Sequence, residues 1–206
     1  MDATVQNTGR HGGAARPGRI IIVRHGRPAL DREAGPRLDW RAYRDWWAKY
    51  EGGSLAQGQA PPGELARQAE NAMVFSSMRP RATETAAMLS PGRKVTSDPV
   101  FNEAPLPPPQ WSPRRRYLPK TWNKIARLAW LLGHDGGEEP ATQTRRRAEA
   151  AADLLIEAAC GGCDVVLAAH GWFNRMLRSP LVRRGWKCVR DGGDAYWSWR
   201  IYERRK

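Results

Sequence analysis

Two apolar runs that each end in His-Gly constrain this chain more than any other feature. The first is Ile20-Ile21-Ile22-Val23, followed by Arg24-His25-Gly26. The second is Val165-Val166-Leu167-Ala168-Ala169, which follows Asp164 and leads into His170-Gly171. Continuous apolar runs rich in β-branched residues read as parallel strands buried on both faces. Ligands of open α/β sheets bind just past the carboxyl ends of such strands. The two runs therefore predict two imidazoles on one sheet edge, with Arg24 beside the first. A glycine after each histidine predicts close approach of a ligand to the backbone. Arginine meets phosphate with a planar fork of donors, and imidazole is a nucleophile.

A third segment extends the pattern. Met73-Val74-Phe75-Ser76-Ser77 reads as a short strand, and the residues from Met78 to Leu89 read as the helix that follows. Ser77 is the predicted cap, and Pro80 suits the first turn. Arg81 then falls in that first turn, at a helix end that favours anions.

These segments resemble those of the histidine phosphatase superfamily, also called the phosphoglycerate mutase-like family. The matching residues are Arg24 to Gly26, Ser76 to Ala86, and Ala168 to Gly171, and the resemblance runs from about Arg19 to the end. It implies an α/β fold, a three-layer α/β/α sandwich with a mostly parallel central sheet. It implies His25 as a nucleophile forming phosphohistidine, with Arg24, Arg81 and His170 binding the phosphoryl group, His170 as a third cationic donor if protonated. Gly26 and Gly171 join the substrate-binding set. Glu103, in Val100-Phe101-Asn102-Glu103-Ala104-Pro105, matches the position of the proton donor, and its apolar neighbours predict a desolvated carboxyl. Glu138 and Glu139 read as rim residues or helix N-terminal charges.

The chain also departs from the family pattern. Pro28 and Asp31 stand where threonine and asparagine are usual. The Glu-Arg-x-Tyr-Gly segment of the glycolytic mutases is absent after Glu103, where Ala104-Pro105-Leu106-Pro107 stands instead. Since those residues grip phosphoglycerate, their absence favours hydrolysis of a phosphomonoester. The alternatives are a phosphomutase, a phosphohistidine-protein phosphatase, or a catalytically weak phosphate-binding regulatory module.

At 206 residues the chain suits a single domain, expected over residues 19–206, after a small, polar, basic tail at residues 1–18 that reads as disordered. The tail has no apolar core of a secretory signal, so a cytoplasmic location is expected. The net charge of +13 is spread along the chain and no nucleic-acid motif accompanies it. The expected partner is a phosphorylated small molecule, with neither nucleic acid nor membrane; the oligomeric state stays open. No cofactor and no metal are expected: the pair Cys160 and Cys163 lacks two further ligands and reads as reduced thiols at a tight connection. Of the clusters Arg114-Arg115-Arg116 and Arg145-Arg146-Arg147, the second reads as a solvated surface.

Between the motifs, residues 38–50 carry Trp40, Tyr43, Trp46, Trp47 and Tyr50 at helical spacing. They are either a core stripe or an aromatic cap over the crevice. Residues 52–63 read as an exposed loop and 64–71 as a short helix. Residues 94–97 read as a third strand. Helices are predicted over 121–132, 142–159 and 172–182. The first is capped by Thr121 with Trp122, Ile125, Leu128, Ala129 and Leu132 inward. Residues 195–202 alternate and read as a closing strand.

Overall fold

A computed structural model describes residues 16–205. Most of the predicted tail lies outside the described residues, but its end is packed: the Gly18 N–H donates to the Ala159 carbonyl at 2.9 Å. Along the chain come β1 (Ile20–Arg24), α1 (Trp40–Glu51), α2 (Gly63–Ala69), β2 (Met73–Ser76), α3 (Pro80–Leu89) and β3 (Val95–Ser97). After a 3₁₀ turn at Pro99–Phe101 follow α4 (Pro119–Leu131), α5 (Ala141–Cys160), β4 (Val165–Ala169), α6 (Gly171–Arg183), β5 (Trp186–Asp191) and β6 (Trp199–Arg204).

The strands form one six-stranded sheet in the order β3-β2-β4-β1-β6-β5. β1, β2, β3 and β4 pair in parallel, and β6 and β5 continue the sheet antiparallel. β1 and β4 are direct neighbours, Arg24 opposite Ala169, so both His-Gly steps leave the sheet side by side. Their alternate side chains feed two cores. Ile20, Ile22, Val165 and Leu167 pack against α5 and α6 residues such as Leu155 and Leu177. Ile21, Val23, Val166 and Ala168 pack with Leu65 of α2 and Leu89 of α3. The result is the expected three-layer α/β/α arrangement.

Three elements differ from the sequence reading. The closing strand starts later than residue 195, because Trp197 takes a left-handed φ of 62° and breaks the extended chain before β6. β5 is additional; its exposed Val189 and charged Lys187 and Arg190 hide the strand pattern, as is common on a sheet edge. α4 begins at Pro119, has no side-chain cap, and buries Trp122, Ala126 and Trp130. The leucines expected inward face out: Leu128 is 60% exposed and Leu132 79%.

That rotation of α4 has a cause in α1. The Asp39 carboxylate caps α1, accepting from Arg41 and Ala42 N–H groups at 3.0 Å. Tyr43 stacks on both Trp46 and Trp122, and its hydroxyl donates to Asn123 Oδ1 at 2.7 Å. Tyr43, Trp46, Tyr50, Leu106, Trp122 and Ala126 form a third apolar cluster, separate from the two on the sheet. The aromatic segment is thus partly the core of a small α1–α4 cap. Truncating its central ring, Trp122→Ala, should cost about 3–5 kcal/mol of stability. The readout is the urea unfolding midpoint; an unchanged midpoint would mean that the cluster is not packed.

Candidate active site

β1 delivers His25 to the sheet edge as a buried side chain. Its Nδ1 lies 2.7 Å from the Gly26 carbonyl, which accepts the Nδ1–H hydrogen bond and so leaves the lone pair on Nε2. Burial, reinforced by the charges of Arg81 and Arg24, pushes the His25 pKa well below the ordinary imidazole range. The ring is therefore neutral at neutral pH, with its nucleophilic nitrogen defined.

β4 delivers His170, fully buried, with its ring centroid 5.2 Å from that of His25. Its Nδ1 accepts from an Arg81 terminal nitrogen at 3.1 Å, so its Nε2 carries the proton and donates to Ser77 Oγ at 2.6 Å. Burial and then Arg81 push this pKa well below the usual range as well. With Nδ1 accepting from Arg81, His170 is a neutral ring in this structure. Ser77, expected as a helix cap, holds that ring instead; Arg79 occupies the cap position of α3.

Arg81 joins the two histidines. It is 1% exposed, in the first turn of α3, as Pro80 at the first helical position predicts. Its Nε donates to His25 Nε2 at 3.2 Å. Its terminal nitrogens donate to the Tyr50 and Glu51 carbonyls at 3.0 Å, to the Glu51 carboxylate at 2.5 Å and to His170. All five N–H donors of the guanidinium are engaged. Glu51, the last residue of α1, also pairs with Arg79 at 2.9 Å. No pattern in the sequence singles out Glu51; the signal is indirect, since a buried arginine needs an acid.

Arg24 is half-buried. One terminal nitrogen donates to the Asp194 carbonyl, while its Nε is buried without a partner. Burial lowers its pKa. The glycines are explained by packing. A Cβ on Gly26 would lie 2.8 Å from the Trp197 indole, so Gly26 makes room for that ring. A Cβ on Gly171 would lie 3.3 Å from Arg24 Nε.

Glu103 follows the 3₁₀ turn and is clasped from both sides. Arg147 donates to the carbonyls of Val100 and Asn102, at 2.9 and 2.6 Å, while Glu139 holds Arg147 at 2.8 Å. Arg127 donates to the carbonyls of Ala104 and Pro105, at 3.0 and 3.1 Å, with its guanidinium between Trp130 and Trp172. Arg147 is therefore a clasp and not a solvated surface residue. Glu103 Oε1 accepts from Phe173 N–H at 2.8 Å and Ala104 N–H at 3.0 Å; Oε2 accepts from Trp172 N–H at 3.2 Å. What meets the carboxyl is the N-terminus of α6, not the apolar flank expected from Phe101 and Pro105.

A cavity of about 470 Å³ brings Arg24, His25, Arg81, Glu103 and Gly171 to one surface. His170 lies behind Arg81 and does not line it, and neither does Gly26. α1 contributes Trp47 and Tyr50 to its wall, and α4 contributes Lys124, Leu128 and Leu131. A larger neighbouring cavity of about 620 Å³ contains neither histidine. Glu138 lines that second space, and burial raises its pKa. Cys160, Cys163 and Cys188 are free thiols. Among the described residues, no three His, Cys, Asp or Glu side chains are grouped to hold a metal, and no helix is long and apolar enough to cross a membrane.

Solved structures share this architecture. A mycobacterial glucosyl-3-phosphoglycerate phosphatase complexed with VO3 is 21% identical and superposes with a TM-score of 0.56, covering 91% of this chain and 92% of that one. "Mycobacterial hydrolase 1" is 20% identical, with a TM-score of 0.57 and coverage of 91% and 88%. A phosphoglycerate mutase from Bacillus anthracis is 16% identical, with a TM-score of 0.53 and coverage of 84% and 83%. At such identities the likeness is one of fold. No curated protein matches the chain by sequence. The sequence pattern of the histidine phosphatase superfamily (branch 1), however, matches residues 20–204. The chain belongs to the histidine phosphatase superfamily, branch 1.

Proposed function

We propose that this chain hydrolyses phosphomonoesters through a phosphohistidine on Nε2 of His25. The observation that carries this reading is the state of that ring: neutral, with Nδ1–H fixed on the Gly26 carbonyl and Nε2 directed at Arg81. Phosphoryl transfer requires a nucleophile in line and positive charge around the equatorial oxygens. Nε2 attacks phosphorus, the ester P–O bond breaks, and the leaving oxygen takes a proton from Glu103. The resulting carboxylate then removes a proton from the water that attacks the phosphohistidine. Phosphate leaves, and His25 and the Glu103 acid are regenerated. The mutase reading lacks the Glu-Arg-x-Tyr-Gly grip after Glu103, where Ala104-Pro105-Leu106-Pro107 stands.

His25→Ala should abolish turnover of p-nitrophenyl phosphate while leaving the unfolding midpoint near that of the unaltered chain. Acid-labile, base-stable phosphate should be trapped on His25 during turnover. Because the His25 pKa is depressed, protonation of the nucleophile should not cut activity as pH falls through 6.5, the ordinary imidazole value. Near-normal activity in the alanine variant would refute the nucleophile.

Glu103→Gln should slow alkyl phosphates by about 10²–10⁴, the usual scale for a general acid. p-Nitrophenyl phosphate should suffer far less, because nitrophenolate leaves without a proton. Equal losses on both substrates would remove Glu103 from the acid role.

The cavity wall supports a substrate with an apolar body. Trp47 and Tyr50 turn toward it with Leu128 and Leu131, whereas Tyr43 is buried in the cap. Trp47→Ala should lower kcat/KM for aryl phosphates relative to small polar ones, by an amount on the order of 1–3 kcal/mol. Stability should change little. An unchanged substrate ranking would reduce Trp47 to scaffold.

A further inference from the structure

Two guanidinium groups share one aromatic ring beside the nucleophile. Arg24 Cζ lies 4.3 Å from the centroid of the Tyr196 ring, and Arg32 Cζ lies 5.6 Å from the same centroid. That ring stands 5.6 Å from the His25 imidazole. Arg32 lines the same cavity as Arg24, His25 and Arg81.

Neither guanidinium is neutralised by an acid among the described residues. The acids flanking Arg32 are engaged elsewhere: Asp31 pairs with Arg27, and Glu33 with Lys120. Asp194 offers Arg24 only its backbone carbonyl, while its carboxylate serves Arg175 and Arg200. Attraction to an aromatic face stabilises a cation modestly and does not cancel repulsion between two of them. An anion placed between the two forks does.

The catalytic floor has few other free donors. Four of the five N–H groups of Arg81 are committed to Tyr50, Glu51 and His170, and the fifth, on Nε, is released from His25 Nε2 when that atom attacks. The transferring group has three equatorial oxygens that need positive partners. Arg24 Nε has no partner, and Arg32 is in no ion pair among the described residues, so both have donors to offer.

We propose that Arg32 grips the phosphoryl group together with Arg24. This rests on the phosphomonoesterase reading above. The loop that carries Arg32 is suited to the task, because the Arg32 carbonyl accepts the Lys120 N–H at 3.1 Å and so ties the loop to the first turn of α4. The guanidinium presents a rigid fork that matches tetrahedral oxyanions, which an imidazolium does not.

The test uses the full chain and measures binding of sulfate and inorganic phosphate by calorimetry, alongside turnover of p-nitrophenyl phosphate. Arg32→Ala should weaken both oxyanions by about 10- to 100-fold, the scale of a charge-assisted hydrogen bond. Arg32→Lys, which keeps the charge and loses the fork, should lose less. The contribution of Arg32 to the fold is its carbonyl, so the unfolding midpoint should hold. If the alanine variant fails to fold, Arg32→Gln and Arg32→Lys decide by the same readout. Unchanged oxyanion affinity in the Arg32 variants would overturn the assignment. An unaltered chain that neither binds an oxyanion nor turns over a phosphomonoester would overturn the underlying reading as well.

Discussion

Arg81 is the side chain on which the rest of the site depends. It is almost wholly buried, and it holds His25, His170 and the carboxyl end of α1 at once. A buried guanidinium is tolerated only when its charge and donors are met, and Glu51 with two backbone carbonyls meets them. One residue therefore fixes the tautomer of both imidazoles and the position of the cap above them. The same ion pair joins the sheet, through α3, to a cap that otherwise packs around its own aromatic rings.

The basic composition has a related explanation. Several arginines are committed inside the molecule as clasps on carbonyl groups. Arg147 and Arg127 fasten the backbone on either side of Glu103. Arg93 does the same for Ala69, Ala72 and Leu89, where helices α2 and α3 end. A guanidinium reaches two carbonyls at once, which suits irregular loops whose backbone groups have no ladder partner. A net charge of +13 thus arises in part from the architecture of loops.

The sheet was legible in the sequence because buried strands of β-branched and aliphatic residues have few other places to go. Ile20 to Val23 and Val165 to Ala169 announced both their burial and their parallel pairing. The residues brought together at the strand ends were legible for the same reason. Their states were not. Whether His170 is charged depends on Arg81, and whether Arg81 has free donors depends on Glu51, 30 positions away on another helix. Among 34 lysines and arginines, spacing does not mark which ones fold inward. The face of α4 was misread because Leu128 and Leu132 outrank Ala126 in hydrophobicity, whereas Ala126 is small enough to let the helix sit against α1. The closing strand was misplaced because a left-handed turn at Trp197 leaves no mark in an alternating sequence.

The separateness of the aromatic cluster has an evolutionary consequence. Leu128 and Leu131 border the cavity from a helix whose buried anchors are Trp122, Ala126 and Trp130. The residues that would touch a substrate's organic portion are therefore different from those that hold the cap together. Lineages of such a protein can exchange the former by drift without first acquiring compensating changes in the sheet. The catalytic floor is then inherited intact while the chemical repertoire diversifies above it.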